Sequence, residues 1–345
     1  MIGLGEGVGE DGDVINSEDW SYLTAAVSDD FPTTLHWVMF VPNIASLCDD
    51  EQRSVWLPLC RDWRVIGCYA QTEIGHGSNV RGLETTATFL SEGRGVHNFI
   101  VPLRSMTDHK FLPGVKCGDL GPKVGYNNMD NGFASFDNVV IPRRNMAMRF
   151  ASVDESGKYA KRSVSDATEK VAYITMMQVR AYIMDEAGKD LAKACAVSIR
   201  YSAVRRQGFA DGAGGGGEKQ ILDYPQQQHR LLPLLASSYC FRLTGIRVLR
   251  RVKDIETRLV GGASTADEGA GADPVTKAEI SDLHATSSAL KSFMTMTAAD
   301  GIEECRKACG GHGYLQSSGL PELSATYLMN PTVEGDNHML PQQVM

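Results

Sequence analysis

From Thr33 to Trp63 apolar residues recur at three- and four-residue steps, as Leu35, Val38 and Met39 and then Val55 and Leu59. That spacing lines one face of a helix. Asp49 and Asp50 fall between the two runs, where a carboxylate can cap the first free amides of a new helix, so two short helices are predicted. Past Val65 the pattern changes to short runs rich in β-branched and aromatic residues, split by Gly, Pro and Asn: VIGCYAQT, ETTATF, HNFIVPL and FASFDNVVIP, all before Met148. These read as strands, with a tight turn at Asp130, Asn131 and Gly132. From Ser165 the helical period returns and stays. One stripe runs through Ile174, Met177, Ala181, Met184, Leu191, Ala194 and Val197, ending near Arg206. A second runs through Leu235, Tyr239, Leu243, Ile246 and Leu249, with Pro233 expected to bend its first turns. A third runs through Leu283, Leu290, Met294, Ala298, Ile302 and Cys305 and is ended by Gly310 and Gly311. Three such helices suit a bundle.

Two glycine-rich stretches, Gly208 to Lys219 and Gly261 to Asp273, separate the long helical runs and are expected to be flexible connections. Neither follows the spacing of a Walker loop or a GxGxxG turn. With 345 residues, 43% hydrophobic and 22% charged, the chain has the balance of a globular protein of several domains. A net charge of -8 argues against nucleic acid as a partner, because phosphate backbones are held by clustered Lys and Arg. The 8 cysteines form no CxxC pair and no zinc-like group with His, and read as reduced thiols with no metal site. No apolar run approaches the length of a transmembrane segment. The acidic, Gly-rich N-terminus lacks the basic and then apolar order of a secretory signal and reads as a tail.

Four segments carry more specific information: YAQTEIGHGSNVRGLETTATF (Tyr69 to Phe89), the run from Val96 to Met146 containing GYNNMDNG, CGGHGY (Cys309 to Tyr314) and TVEGDN (Thr332 to Asn337). In this order they resemble the acyl-CoA oxidases of peroxisomal type, relatives of the acyl-CoA dehydrogenases. The resemblance implies FAD as cofactor, fatty acyl-CoA and O2 as substrates, and a homodimer. Oxidation across Cα and Cβ needs a base for the α-proton and an acceptor for the β-hydride; no side chain accepts hydride, so a cofactor must.

By this resemblance Glu334 in TVEGDN is the catalytic base. A carboxylate in a water-poor site has its proton affinity raised, which suits a weak carbon acid. Thr72 in AQTE matches the position that hydrogen-bonds the isoalloxazine ring, and Gly75 would let backbone approach the ligand. Arg205 matches the arginine offered to the FAD pyrophosphate, where a guanidinium fork meets two phosphate oxygens; a solvated helix-end arginine is the other reading. Gly310 and Gly311 match a double glycine packed near a neighbouring subunit's flavin, though a plain helix stop also explains them. Asn127, Asn128 and Asp130 resemble the substrate-side loop, and a tight turn accounts for them too.

The chain departs from that pattern between Phe89 and Val96, where only LSEGRG stands in place of several strands and a Trp- and Gly-rich segment over the flavin. Unpaired edges and an incomplete flavin wall are expected there. The chain is also read as starting part-way through the first helical domain and lacking the second C-terminal helical domain and an SKL-type ending. The fold expected is α+β and multidomain, acyl-CoA dehydrogenase-like. It comprises a tail over 1–20, a helical N-terminal remnant over 21–64, a partial middle β-barrel over 65–150 shortened near 90–95, and a C-terminal helical bundle over 151–345. The function implied is conversion of acyl-CoA and O2 to trans-2-enoyl-CoA and H2O2 in the peroxisome; the alternatives are a non-catalytic fragment or pseudoenzyme, and an acyl-CoA dehydrogenase.

Overall fold

A computed structural model describes residues 7–8, 14–15, 32–77, 79, 82–88, 96–161, 171–209, 217–261 and 275–344. The chain divides into two compact units, Met1–Thr175 and Met176–Met345. Most of the 1–20 segment, the LSEGRG join, Phe89, the stretch from Ser165 to Lys170 and most of both glycine-rich connections lie outside the described residues.

In the first unit, β1 (Gly7–Val8) pairs antiparallel with β2 (Val14–Ile15). A π-helical turn, His36–Phe40, leads into α1 (Val41–Leu47), and α2 (Asp50–Arg61) follows. The two expected short helices are present, and their boundary is set by Asp49. Its carboxylate accepts the Gln52 amide at 2.9 Å while the Gln52 side chain accepts the Asp49 amide at 3.1 Å, a reciprocal capping box. Arg144 grips the same carboxylate through both terminal nitrogens at 2.9 Å. Gln52, buried, reaches further: its Nε2 donates to the carbonyls of Arg144 at 2.6 Å and Met146 at 2.7 Å, and its Oε1 accepts the Met148 amide at 3.0 Å. This side of α2 is held by polar groups, and Val55, expected on its apolar face, is 53% exposed.

The middle region departs from expectation. Among the described residues its pairings are β3 (Val115–Asp119) with β4 (Gly132–Phe136) and β5 (Ala151–Val153) with β6 (Tyr159–Lys161), both antiparallel, besides the isolated bridges Glu73 to His76, Phe99 to Met146 and Arg104 to Phe111. Among the described residues no barrel is formed. VIGCYAQT shows why: from Val65 to Ile74 burial alternates residue by residue between half-buried and exposed, as it would in a strand, yet the segment has no ladder partner among the described residues. Alternation is written locally; a strand needs a neighbour. HNFIVPL makes only the single bridge Phe99 to Met146. The reversal between β3 and β4 is also longer than a tight turn. It occupies residues 120–131, with Asn127 and Asn128 at its bend, and Gly132 already belongs to β4.

The second unit is dominated by α3 (Val171–Val204), α4 (Pro225–Gly261) and α5 (Lys277–Ala308), with a small antiparallel hairpin of β7 (Arg206–Phe209) and β8 (Glu218–Gln220) between α3 and α4. The short α6 (Gly311–Tyr314) and α7 (Leu320–Tyr327) follow. The first stripe is buried from Ile174 to Ala194, and only Val197 turns out to solvent. The third is buried at Leu283, Met294, Ala298, Ile302 and Cys305.

The second stripe has the wrong phase. Tyr239 and Leu243 are each 67% exposed, and α4 instead buries Leu231, Phe241, Val248, Val252 and Ile255. Two glycines explain the choice of face. A Cβ on Gly245 would lie 2.7 Å from the Asp185 backbone, and one on Gly188 would lie 2.5 Å from the Arg242 nitrogen, so α3 and α4 meet backbone to backbone on that side. The helix continues through Pro233. α5 opens on a second capping box, Thr276 with Glu279, and its end is marked by Gly310 at φ 58°.

Candidate active site

TVEGDN follows α7 and its partners are on α3 and α5. Within it Glu334 has φ 55° and Gly335 φ 104°, consecutive left-handed residues. A non-glycine residue rarely adopts that conformation without being held there. The holding groups are visible. Arg180 Nε, on α3, donates to the Glu334 carbonyl at 3.0 Å, while its Nη1 donates to Ser288 Oγ at 3.0 Å. Lys291 Nζ, on α5, donates to the Gly335 carbonyl at 2.7 Å and to Asn337 Oδ1 at 3.1 Å. Asn337 in turn gives its amide to the Ser292 carbonyl at 3.0 Å and to Thr295 Oγ1 at 2.9 Å, and its own carbonyl accepts Ser292 Oγ at 2.8 Å.

The Glu334 residue is only partly exposed. Loss of water pushes its carboxyl above the usual carboxylate range, and the positive charges of Arg180 and Lys291 draw it part of the way back. Lys291 is fully buried; desolvation, aided by repulsion from Arg180, brings its ammonium down to about 8 against the opposing pull of Glu334 and Asp336. His284, nearby on α5, is lowered by desolvation and by the same Arg180 charge. A carboxylate whose proton affinity is raised in this way is a stronger base towards a carbon acid than a solvated one.

Within the second unit the other expected site residues are at the surface. Arg205 is exposed just beyond the last turn of α3, where its backbone joins the Tyr201 carbonyl to the Ile221 amide. Gly310 and Gly311 are exposed with nothing within 4 Å of a Cβ placed on either. Next to them the His312 ring meets Tyr201 Oη at 3.1 Å.

In the first unit Thr72 is exposed, and Gly75 sits in a turn where a Cβ would meet Glu84 Oε1 at 3.6 Å. That turn is braced by Glu73, whose carboxylate accepts the amides of Glu84 at 2.7 Å and Thr85 at 2.9 Å and is lowered by them. Asn127 closes its own loop, accepting the Lys123 amide at 2.8 Å and donating to the Lys123 carbonyl at 3.1 Å, while Asn128 and Asp130 are exposed beside it.

Sequence reasoning did not find Arg180, Lys291 or Asn337. A signal for Lys291 exists: it falls on the buried face of α5 between Ser287 and Thr295, four residues from each. Arg180, three residues from Met177, intrudes on the apolar stripe of α3 in the same way.

Residues 173–345 match the family model Acyl-CoA oxidase, C-alpha1 domain, and residues 7–66 match Acyl-coenzyme A oxidase N-terminal. The chain belongs to the acyl-CoA oxidase family. Peroxisomal acyl-coenzyme A oxidase 1 of Arabidopsis thaliana is 42% identical over 96% of this chain and 53% of its own length. The rat peroxisomal acyl-coenzyme A oxidase 1 is 38% identical over 90% of the chain and 50% of itself. Among solved structures, that of Arabidopsis thaliana acyl-CoA oxidase 1 aligns with a TM-score of 0.85 at 41% identity, covering 96% of this chain and 54% of that one. Acyl-CoA oxidase-2 of Caenorhabditis elegans, solved with FAD, ascaroside-CoA and ATP, aligns with a TM-score of 0.85 at 34% identity over 95% of this chain and 53% of that one.

The chain therefore has an acyl-CoA oxidase fold, mostly helical with small two-stranded sheets, and spans about half the length of the relatives it matches. Among the described residues no helix is long and apolar enough to cross a membrane.

Proposed function

We propose that the chain is a fatty acyl-CoA oxidase in which Glu334 removes the α-proton of the bound thioester. The reading rests on one observation above the others: a partly buried carboxylate, raised by loss of water, held in a left-handed turn between two buried cations. In the reaction the Cα–H bond breaks to the carboxylate of Glu334, leaving the electron pair on Cα. Donors aimed at the thioester oxygen, the backbone N–H of Glu334 by family resemblance, would then spread that charge. The new Cα–Cβ double bond forms as hydride leaves Cβ, giving a trans-2-enoyl-CoA.

FAD, when bound, would supply the acceptor for that hydride and return the electrons to O2 as H2O2. The residues assigned to it have the room such a group needs. Thr72 is exposed, and the backbone at Gly310 and Gly311 is open. Thr72 and Gly75 would meet the ring, Arg205 the pyrophosphate, and Gly310 with Gly311 the flavin of a second subunit, which makes the working form a homodimer. Asn127, Asn128 and Asp130 would lie on the substrate side. The peroxisomal names of the relatives support the same compartment for this chain.

The test is spectroscopic. The purified chain supplied with FAD should show flavin absorbance that palmitoyl-CoA bleaches without air, and should release peroxide in air. Glu334→Gln should keep the yellow colour and lose bleaching by at least about a hundredfold, the contribution of a positioned base. Bleaching at the unaltered rate in that variant would remove Glu334 from the mechanism.

A second reading, a non-catalytic partner of intact subunits, draws support from the extended segment Val65 to Ile74, which has no neighbouring strand among the described residues. A chain that stays colourless with added FAD would favour it.

A further inference from the structure

We propose that Arg180 and Lys291 are positioning residues for Glu334: two buried cations that clamp consecutive backbone carbonyls and so aim the carboxylate between them. The inference rests on the reading of Glu334 as the base and adds the groups that make it one.

Burying a guanidinium and an ammonium in a helical core is costly, and a helix bundle has no need of either for stability. Arg180 is 3% exposed and Lys291 is 0% exposed. Their hydrogen bonds are spent on neutral oxygens: the Glu334 carbonyl and Ser288 Oγ for Arg180, the Gly335 carbonyl and Asn337 Oδ1 for Lys291. Each cation comes from a different long helix, Arg180 from α3 and Lys291 from α5, and each takes one carbonyl of the same dipeptide.

Two donors fixed on rigid helices determine both peptide planes flanking Gly335. With those planes fixed, φ and ψ of Gly335 are fixed, and the peptide on the C-terminal side of the Glu334 Cα is held, which restricts the directions its Cβ and carboxylate can take from a left-handed backbone. Gly335 is itself constrained, since a Cβ there would meet the Leu340 side chain at 2.6 Å.

The charges act together with the geometry. Facing Glu334 are Arg180 and Lys291; facing Lys291 are Arg180, Glu334 and Asp336; facing Arg180 are Glu334, Lys291 and His284. Removing either cation releases one carbonyl and takes away a positive charge that opposes the desolvation of the carboxyl. Both losses move Glu334 in the same direction, towards a looser and more weakly ionised group.

The experiment uses the full chain labelled with carbon-13 at glutamate carboxyls, the Glu334 resonance being assigned by its absence in Glu334→Gln. In Lys291→Met and Arg180→Met the titration midpoint of Glu334 should shift upward, and exchange of the Asn337 amide, which donates to the Pro331 carbonyl at 3.0 Å, should quicken about tenfold or more. Lys291→Arg and Arg180→Lys, which keep the charge, should recover much of the midpoint and less of the protection.

If a methionine variant does not fold, Ser288→Ala removes one oxygen that holds Arg180 and should give the same changes at smaller size. An unmoved midpoint together with unchanged exchange in the folded variants overturns the proposal. Retained bleaching in Glu334→Gln would instead defeat the reading of the base while leaving the clamp standing, so the two failures are separable.

Discussion

Glu334 and Lys291 titrate in opposite senses, and stability should record both. The folded chain holds the Glu334 proton more tightly than the unfolded chain, because burial penalises the carboxylate. Stability from this group is therefore lost as pH rises from the ordinary carboxylate midpoint through the folded one. Glu334→Gln should lack that descent and melt a few degrees higher at pH 7, at about 2–4 °C per ~1 kcal/mol. A lower midpoint in thermal melts would mean that attraction to Arg180 and Lys291 outweighs desolvation. For Lys291 the folded value, about 8, lies below the ordinary 10.5, so stability rises as pH climbs between the two. The gain, on the order of 1–3 kcal/mol, should vanish in Lys291→Met when denaturation is compared across that range. These residues also mark the limit of legibility. TVEGDN is a short motif and brings Glu334 forward as the proposed base, whereas Arg180 and Lys291 belong to no motif, and in a bare sequence a buried cation is written with the same letter as a solvated one. Only their positions on the buried faces of α3 and α5 distinguish them.

Helix packing reverses an ordinary substitution rule. Glycine inside a helix usually costs about 1 kcal/mol relative to alanine, so Gly245→Ala should stabilise α4 if the helix stood alone. In the bundle the added methyl would meet the Asp185 backbone at 2.7 Å, and backbone cannot yield as a side chain can. A loss of about 1–3 kcal/mol is expected in urea denaturation, while Gly311→Ala, with nothing within 4 Å, should stay close to neutral. At α2, Asp49→Ala removes the cap and the carboxylate gripped by Arg144, and should cost about 1–2 kcal/mol.

The elements themselves were largely readable: both short helices, the Asp49 cap and the three long helices follow from periodicity and capping chemistry. The face of α4 was not. Apolar residues occur on two sides of that helix, so Leu235, Tyr239 and Leu243 form as regular a series as the buried one, and period alone cannot choose between them. The choice is made by Gly188 and Gly245, through a contact between distant parts of the chain. Val65 to Ile74 fails for a related reason: its alternation is local, and its missing neighbour is not.

For the molecule as a whole, each unit is closed by contacts between residues far apart in the chain, and in the second unit Arg180 and Glu334 are 154 residues apart. Helices α3, α4 and α5 are long and joined in sequence order, and local contacts form quickly. The first unit depends on the Gln52 side chain, whose partners Arg144, Met146 and Met148 lie 92 to 96 residues away. On the ribosome, the first helices must therefore wait about 5–20 s for those partners to be made. During that interval the Gln52 amide can bond only to water. Newly made chains should accordingly be open to proteases and chaperones at the N-terminal helices until synthesis has passed Met148, whatever the final stability of the finished protein.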